Sequence, residues 1–498
     1  MNPLRRLAGQ TAIYGLSSIV GRLINFLLVP LYTRVFVDPG EYGVITEMYT
    51  YVAFLIIILT YGMETAFFRF SEKEEPAKKN TVFSTSLFSV LSTSILFILL
   101  VIVFRESIAQ TLRYPDNVEY IVLLGSIVGL DAIAAIPFAR LRAENKAMRF
   151  AVLKLIGIAV NIITVLFFLL LCPWLLQHAG PSVQQFIGLI YDPQIGVGYV
   201  FIANLAATLI TLLLLTPVMR SVKPAFNPQL LRTMLLYALP LLVAGLAGWV
   251  NEAFDKLLLK YLLPESIAMT QVGIYGAVYK LSILMTIFIQ AFRFAAEPFF
   301  FAQAGAANAK ETYARVMNYF VMACLVIFLG VMLFMDIVKH FIGPQYHEGL
   351  PVVPILLLAN MFLGIYFNLS IWYKLTGQTG YGAWFTVAGA FITIMLNVWW
   401  IPKIGYHGSA WATLICYFSL AVLSYLFGRK YFKVPYNIIR IVSMIALAVT
   451  IYFISHYTVE LPALLMYSAR LLLILLFVVM AVFFDPLLRA EIKRVTNI

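Results

Sequence analysis

Several side chains in this sequence carry charge in the middle of apolar stretches: Arg22, Glu47, Glu64, Asp131, Glu252, Asp255, Lys256, Lys280, Arg293, Glu297 and Arg470. Inside hydrocarbon each costs ~2.5–3.5 kcal/mol, so each needs a partner, water or a purpose. The cations suit one kind of chemistry. Arg22, with Asn25 about one turn further on, could line a wet cavity with Lys280 and Arg293 and bind an anionic headgroup. A local alternative exists for Arg293, because Glu297 stands at i+4. The carboxylates suit another. Glu64 and Asp131 have no opposite charge close in sequence and fit a proton relay. Glu252, Asp255 and Lys256 share one side of a helix, either as a site where H+ or Na+ exchanges or as a self-neutralised cluster. All but Arg470 fall in the first, second, fourth, seventh and eighth apolar blocks, as a shared polar cavity would require.

The elements that must hold these groups are set by composition. Of 498 residues, 62% are hydrophobic and only 12% charged, where a soluble chain carries about 25% charged residues. The apolar residues come in blocks of about 20 or more, the length that crosses ~30 Å of hydrocarbon as a helix. The blocks lack the alternation of barrel strands, and an isolated strand leaves its backbone unsatisfied in lipid. The expected fold is therefore all-α and polytopic, with about fourteen transmembrane helices. Their expected bounds are near 10–36, 42–70, 81–104, 118–141, 150–172, 196–218, 233–262, 271–298, 313–336, 351–373, 381–401, 406–428, 438–456 and 463–484. The opening apolar block runs on to about Phe36 without a small-residue cleavage site, which reads as a retained first helix. Pro30, Pro137 and Pro240 fall within spans and permit bends.

Charge placement orients the chain. Most of the 35 lysines and arginines lie on one side of the expected spans, in short loops such as EKEEPAKKN and RAENKAMR. The other side holds only Arg34, Arg105, Arg113, Lys260, Lys339 and Lys403 among the loop cations. The positive-inside rule then places both termini in the cytoplasm. A net charge of +12 spread over such loops points to anionic lipid headgroups, not to nucleic acid. Cys172, Cys324 and Cys416 have no paired spacing and read as buried small hydrophobes, and no metal-ligand spacing is present. There is no G-x-x-x-x-G-K-[ST] loop and hence no ATP site. No loop is large enough for an extramembrane catalytic domain, so the chain reads as a carrier without a cofactor, driven by H+, Na+, the membrane potential or its substrate's own gradient.

A faint repeat links the halves. Tyr14-Gly15-Leu16, a Val37-Asp38-Pro39 turn and Tyr42-Gly43-Val44 are echoed by Tyr237-Ala238-Leu239, a Leu263-Pro264-Glu265 turn and Gly273-Ile274-Tyr275. Duplicated bundles are common in transporters. The layout suggests six-helix lobes at 1–225 and 226–432, with two further helices and a tail at 433–498. The opening TAIYGLSSIVGRLINFLLVPLYTRVFVDPGEYG, the segment YGMETAFFRF, the region NEAFDKLLLKYLLPESIAMTQVGIYGAVYKL and EPFFF after Arg293 together resemble the polysaccharide transporter, or oligosaccharide-lipid flippase, branch of the multidrug/oligosaccharidyl-lipid/polysaccharide exporter superfamily. That resemblance implies two lobes around a cationic cavity in a bacterial inner-membrane protein. It implies an undecaprenyl-pyrophosphate-linked oligosaccharide as substrate, flipped to the outer leaflet by alternating access for surface polysaccharide biosynthesis. Arg22, Lys280 and Arg293 would meet the pyrophosphate or acidic sugars, and glycan polymerase or assembly proteins would be partners. A lipid II flippase is the nearest alternative, and a cation-coupled multidrug antiporter, normally of twelve spans, a more distant one.

Overall fold

A computed structural model of the chain describes residues 23, 26–73, 76–221 and 225–483. These residues form helices and no strand. Thirteen of the helices are long and apolar enough to cross a membrane. The expected first span, with Arg22 and Asn25, lies mostly outside the described residues, as do 222–224 and the tail from 484 onward. In chain order the main helices are α1 (Val29–Val35), α2 (Pro39–Thr60), α3 (Met63–Lys73), α4 (Pro76–Val103), α5 (Val118–Ala143), α6 (Ala147–Leu166), α7 (Gly198–Arg220) and α8 (Pro228–Leu262). They continue as α9 (Glu265–Leu281), α10 (Ile283–Gln303), α11 (Ala309–Leu333), α12 (Val353–Leu369), α13 (Gly380–Ile404), α14 (Tyr406–Tyr431), α15 (Ile438–Ser455) and α16 (Ala463–Phe483). Leucine, isoleucine, valine and phenylalanine are widely exposed on them, including Leu96, Leu99, Phe391, Leu464 and Leu472. Such surface is tolerable only where hydrocarbon replaces water as the solvent.

Two expected spans are interrupted. The stretch 42–70 is not one helix: α2 ends at Tyr61, whose φ is 33°, and Gly62 follows at φ 73°. Both lie in the left-handed region that stops an α-helix. A β-carbon on Gly62 would stand 2.9 Å from the Ala238 carbonyl oxygen of α8, so the residue is small both for its dihedrals and for its neighbour. The Tyr61 hydroxyl is held 2.6 Å from Ser89 Oγ on α4. The stretch 271–298 is likewise two helices, parted at Ser282. The Ser282 hydroxyl donates back to the Tyr279 carbonyl at 2.7 Å, and Asn360 Nδ2 of α12 donates to Ser282 Oγ at 3.3 Å. A hydroxyl bonded to the backbone competes with the helical ladder.

The chain divides into two units, Met1–Leu257 with Ser266–Gly273 and Leu258–Glu265 with Ile274–Ile498. In the first, α5 packs between α4 and α7, and α7 also packs on α6. Met63, Phe67, Val82, Phe83, Val128, Ala132, Ile136, Met234 and Ala238 form one buried core there. The start of α2 is capped by Asp38, whose Oδ1 accepts from Gly40 N at 2.8 Å, with Pro39 in the first turn; such a cap stabilises a helix by ~1 kcal/mol. Gly43 on this first turn meets Gly273 on α9 so closely that a β-carbon on either would overlap backbone of the other helix.

In the second unit α12 packs on α14, and α14 on α13, while α11 carries both α15 and α16. The last helix is tied down by Arg470, which is buried and donates from Nη1 to Asp336 Oδ1 at 2.6 Å and from Nε to Thr458 Oγ1 at 3.3 Å. Tyr467 adds a hydroxyl bond of 2.8 Å to Asp336. The lone deep charge of the C-terminal helices thus has a structural partner. Partial burial works against ionisation of Asp336, but the Tyr467 hydrogen bond and the Arg470 guanidinium outweigh it and hold the carboxyl below its ordinary range. Arg470→Met is expected to destabilise the protein by about 2 kcal/mol, since it strands a half-covered carboxylate; Arg470→Met with Asp336→Asn recovers most of that. A group lowered on folding stabilises fully above its unfolded pKa, about 4 for aspartate, and the contribution fades as pH falls through the lowered value. Thermal melting in detergent below about pH 4 should therefore fall more steeply for wild type than for the double variant. Equal slopes would exclude the pair as a source of acid sensitivity.

Candidate functional site

The second unit contains a narrow cleft, of about 20 Å³, between α10, α12 and the short helix Ile371–Leu375. Arg293 and Glu297, one turn apart on α10, open into it. Phe367 and Asn368 come from the end of α12, and Lys374 from the short helix. The turn between these last two elements is made by Ser370, whose hydroxyl donates to Phe367 O at 2.6 Å. This turn brings Lys374 round to face α10.

Charges in the cleft do not pair as local spacing suggests. Glu297 Oε1 lies 2.8 Å from Lys374 Nζ, 77 residues further along the chain. Arg293 is exposed, with its guanidinium 4.7 Å from the centre of the Phe367 ring. It makes no ion pair with a carboxylate among the described residues. The i,i+4 pairing of Arg293 with Glu297 is thus not the arrangement found. Asn368 is 3% exposed, and its Nδ2 has no hydrogen-bond partner among the described residues. The cleft offers a bare guanidinium, an ammonium held by a single carboxylate and an unspent amide donor. Such a set can bind an anion with several oxygen acceptors.

Lys280 is exposed at the end of α9, two residues before the Ser282 break. It does not line this cleft. Neither Asn368 nor Lys374 stood out in the sequence. Lys374 reads as one more loop cation, and the only signal for Asn368 was an amide inside an otherwise apolar block.

The candidate coupling carboxylates lie in the first unit, on α3, α5 and α8. Glu64, in the first turn of α3, is ion-paired with Arg142 at the end of α5, 78 residues away. Its apparent isolation was a matter of sequence distance. Asp131, half-buried in the middle of α5, accepts from Thr208 Oγ1 of α7 at 3.0 Å, with Lys154 of α6 as its electrostatic counterpart. Asp255 is buried, and its Oδ1 lies 3.2 Å from Lys256 Nζ, while Glu252 is exposed. Of that cluster, the ion pair is thus between the chain neighbours Asp255 and Lys256. Glu47, on α2 and fully buried, accepts a hydrogen bond from the Tyr114 hydroxyl. Among the described residues no cluster of histidine, cysteine and carboxylate is arranged to hold a metal, and the three cysteines are buried and free.

Long apolar helices, apolar residues on the outside and a cation-bearing cleft between helices make this a multi-pass membrane protein with a polar cleft. Solved structures share the fold. One is "Lipid II flippase MurJ, inward closed conformation", with a TM-score of 0.70 at 12% identity, covering 97% of this chain and 99% of that one. Another is an inward-facing multidrug resistance MATE family transporter of the MOP superfamily, with a TM-score of 0.63 at 14% identity, over 84% of this chain and 94% of that one. A third is a MATE transporter in the straight conformation, with a TM-score of 0.60 at 15% identity, over 86% and 96%. No protein of curated function matches the sequence significantly. The sequence profile described as polysaccharide biosynthesis protein matches residues 7–304. The chain belongs to that family.

Proposed function

We propose that the protein flips an undecaprenyl-pyrophosphate-linked oligosaccharide repeat unit from the inner to the outer leaflet of the bacterial cytoplasmic membrane, for surface polysaccharide synthesis. The observation that carries this reading is Arg293. In a chain of a polysaccharide biosynthesis family, a guanidinium on a membrane-crossing helix faces an open cleft without a carboxylate among the described residues to neutralise it. A cation left in this state in a low-dielectric setting is suited to an anionic headgroup, and pyrophosphate suits a forked donor well. With both termini in the cytoplasm, the orientation that the positive-inside rule favours, the Arg293 end of α10 would lie toward the side where the lipid-linked glycan is made. Residues 1–225 and 226–432 would act as the alternating lobes, with 433–498 as added helices. Arg22, Asn25 and Lys280 remain proposed contacts for the anionic substrate, and a glycan polymerase would take up the product.

A lipid II flippase is the second reading. It is favoured by the near-complete coverage of this chain by the flippase fold, against 84–86% for the two MATE transporters. Deletion of the gene separates the two. Accumulation of undecaprenyl-linked glycan on the inner leaflet, with loss of a surface polysaccharide, is the expected result. Accumulation of lipid II with cell lysis would favour the second reading, and an unchanged surface polysaccharide would remove the first.

Coupling to H+ or Na+ falls best to Asp131, the candidate carboxylate in mid-helix whose direct bond is to a neutral hydroxyl. Asp131→Asn keeps the Thr208 contact in shape but cannot exchange a cation. It is expected to slow gradient-driven flipping in proteoliposomes about tenfold, the range set by loss of one positioned exchange group. A rate equal to wild type under imposed proton and sodium gradients would remove Asp131 as the coupling group.

A further inference from the structure

Resting on the flippase reading, we propose that Asn368 and Lys374 complete the headgroup site begun by Arg293, and that Glu297 is a built-in stand-in for the anion, holding Lys374 until the headgroup displaces it. Three donors line one cleft, and their present partners are unequal. Arg293 contacts a ring face, Lys374 has Glu297 at 2.8 Å, and Asn368 Nδ2 has nothing among the described residues. A buried donor without an acceptor weakens the fold that contains it. Its position beside two cations is explained when an acceptor arrives from outside. The Glu297–Lys374 pair has the complementary property. Both side chains are part-exposed, at 39% and 27%, and ion pairs in such surroundings are weak. A phosphate, with more charge and more acceptor oxygens than a carboxylate, exchanges into that contact favourably. Glu297 has solvent on its open side and can turn away as the phosphate enters. Glu297 thereby offsets the charge of Lys374 alone, leaving that of Arg293 for the headgroup, and the pair costs little to open.

The test is binding of undecaprenyl pyrophosphate and of undecaprenol to the full-length protein in nanodiscs. Wild type should prefer the pyrophosphate, and Arg293→Ala should lose the preference. Asn368→Leu should bind it about tenfold more weakly, the equivalent of one hydrogen bond to a charged group. Its melting temperature should stay equal or rise, because the substitution deletes an unpaired buried donor. A purely structural asparagine would give the opposite. Glu297→Gln, on a half-exposed position that does not threaten folding, should bind several-fold more tightly, and adding Lys374→Met should cancel that gain. If wild type does not distinguish the two lipids, the flippase reading fails and this inference with it. If wild type prefers pyrophosphate through Arg293 while Asn368→Leu and Glu297→Gln bind like wild type, only the present inference is overturned.

Discussion

Arg293→Ala is expected to reduce flipping 30- to 100-fold while leaving the protein folded. The size follows from the chemistry. A hydrogen-bonded charge pair contributes about 1.5–3 kcal/mol, which is one to two powers of ten in rate or affinity. The side chain is exposed, and the contact it makes is with the Phe367 ring. Its loss should cost the fold only about 0.5–1 kcal/mol. Expression and melting temperature therefore serve as controls that activity does not share. Arg293→Lys should recover part of the rate, because an ammonium replaces the charge but not the two parallel bonds. The measurement is transfer of a fluorescent undecaprenyl-pyrophosphate glycan in proteoliposomes, alongside restoration of surface polysaccharide in a deletion strain. Wild-type rates in Arg293→Ala would end the case for this cleft as the headgroup site.

Gly273→Ala is expected to have the largest effect of any single added methyl group. The new β-carbon would overlap the Pro39 carbonyl oxygen and stand 2.7 Å from the carbon of that group and 2.9 Å from Gly43 N. All three obstacles are backbone, so no rotamer change can relieve them. The Pro39 turn is itself braced by the Asp38 cap and by proline's fixed dihedral. The helices must separate, and overpacking of this kind costs about 3 kcal/mol. Gly43→Ala meets the Met269 carbonyl from the other side and should behave alike. Gly305→Ala, with nothing within 4 Å of its added carbon, is the matched control. Thermal unfolding of the three purified variants decides the matter. A Gly273→Ala protein as stable as the Gly305→Ala protein would show that the contact is not tight in solution.

These glycines show what the sequence can and cannot disclose. They belong to the faint repeat, Tyr42-Gly43-Val44 and Gly273-Ile274-Tyr275, and their role is to meet each other. The repeat was readable, whereas the contact between its two copies was not. The helices were legible because span length follows from hydrocarbon thickness, a rule that acts on contiguous residues. The breaks at Tyr61–Gly62 and Ser282 were not, since glycine, serine and tyrosine sit comfortably within apolar runs and leave mean hydropathy nearly unchanged. Partners of the charged groups were the least legible. Glu64 finds Arg142 and Glu297 finds Lys374 across 78 and 77 residues, and pairing over such distances depends on how helices assemble, not on spacing along one of them. Arg470 was rightly set apart from the other deep charges, but Asp336 lies beyond the hydrophobic block of α11, where nothing in its surroundings marks it as a buried arginine's partner.

The interruption at Ser282 has a mechanical consequence. A continuous helix transmits twist from end to end through its ladder, so turning one end turns the other. The one-residue break at Ser282, whose hydroxyl is bonded to the Tyr279 carbonyl, makes the segment Ile283–Gln303 a shaft distinct from the helix before it. Arg293 and Glu297 ride on that shaft. The two side chains stand about 40° apart around it and about 6 Å apart along it, so rotation of this segment changes how both face Lys374 without unwinding the helix above.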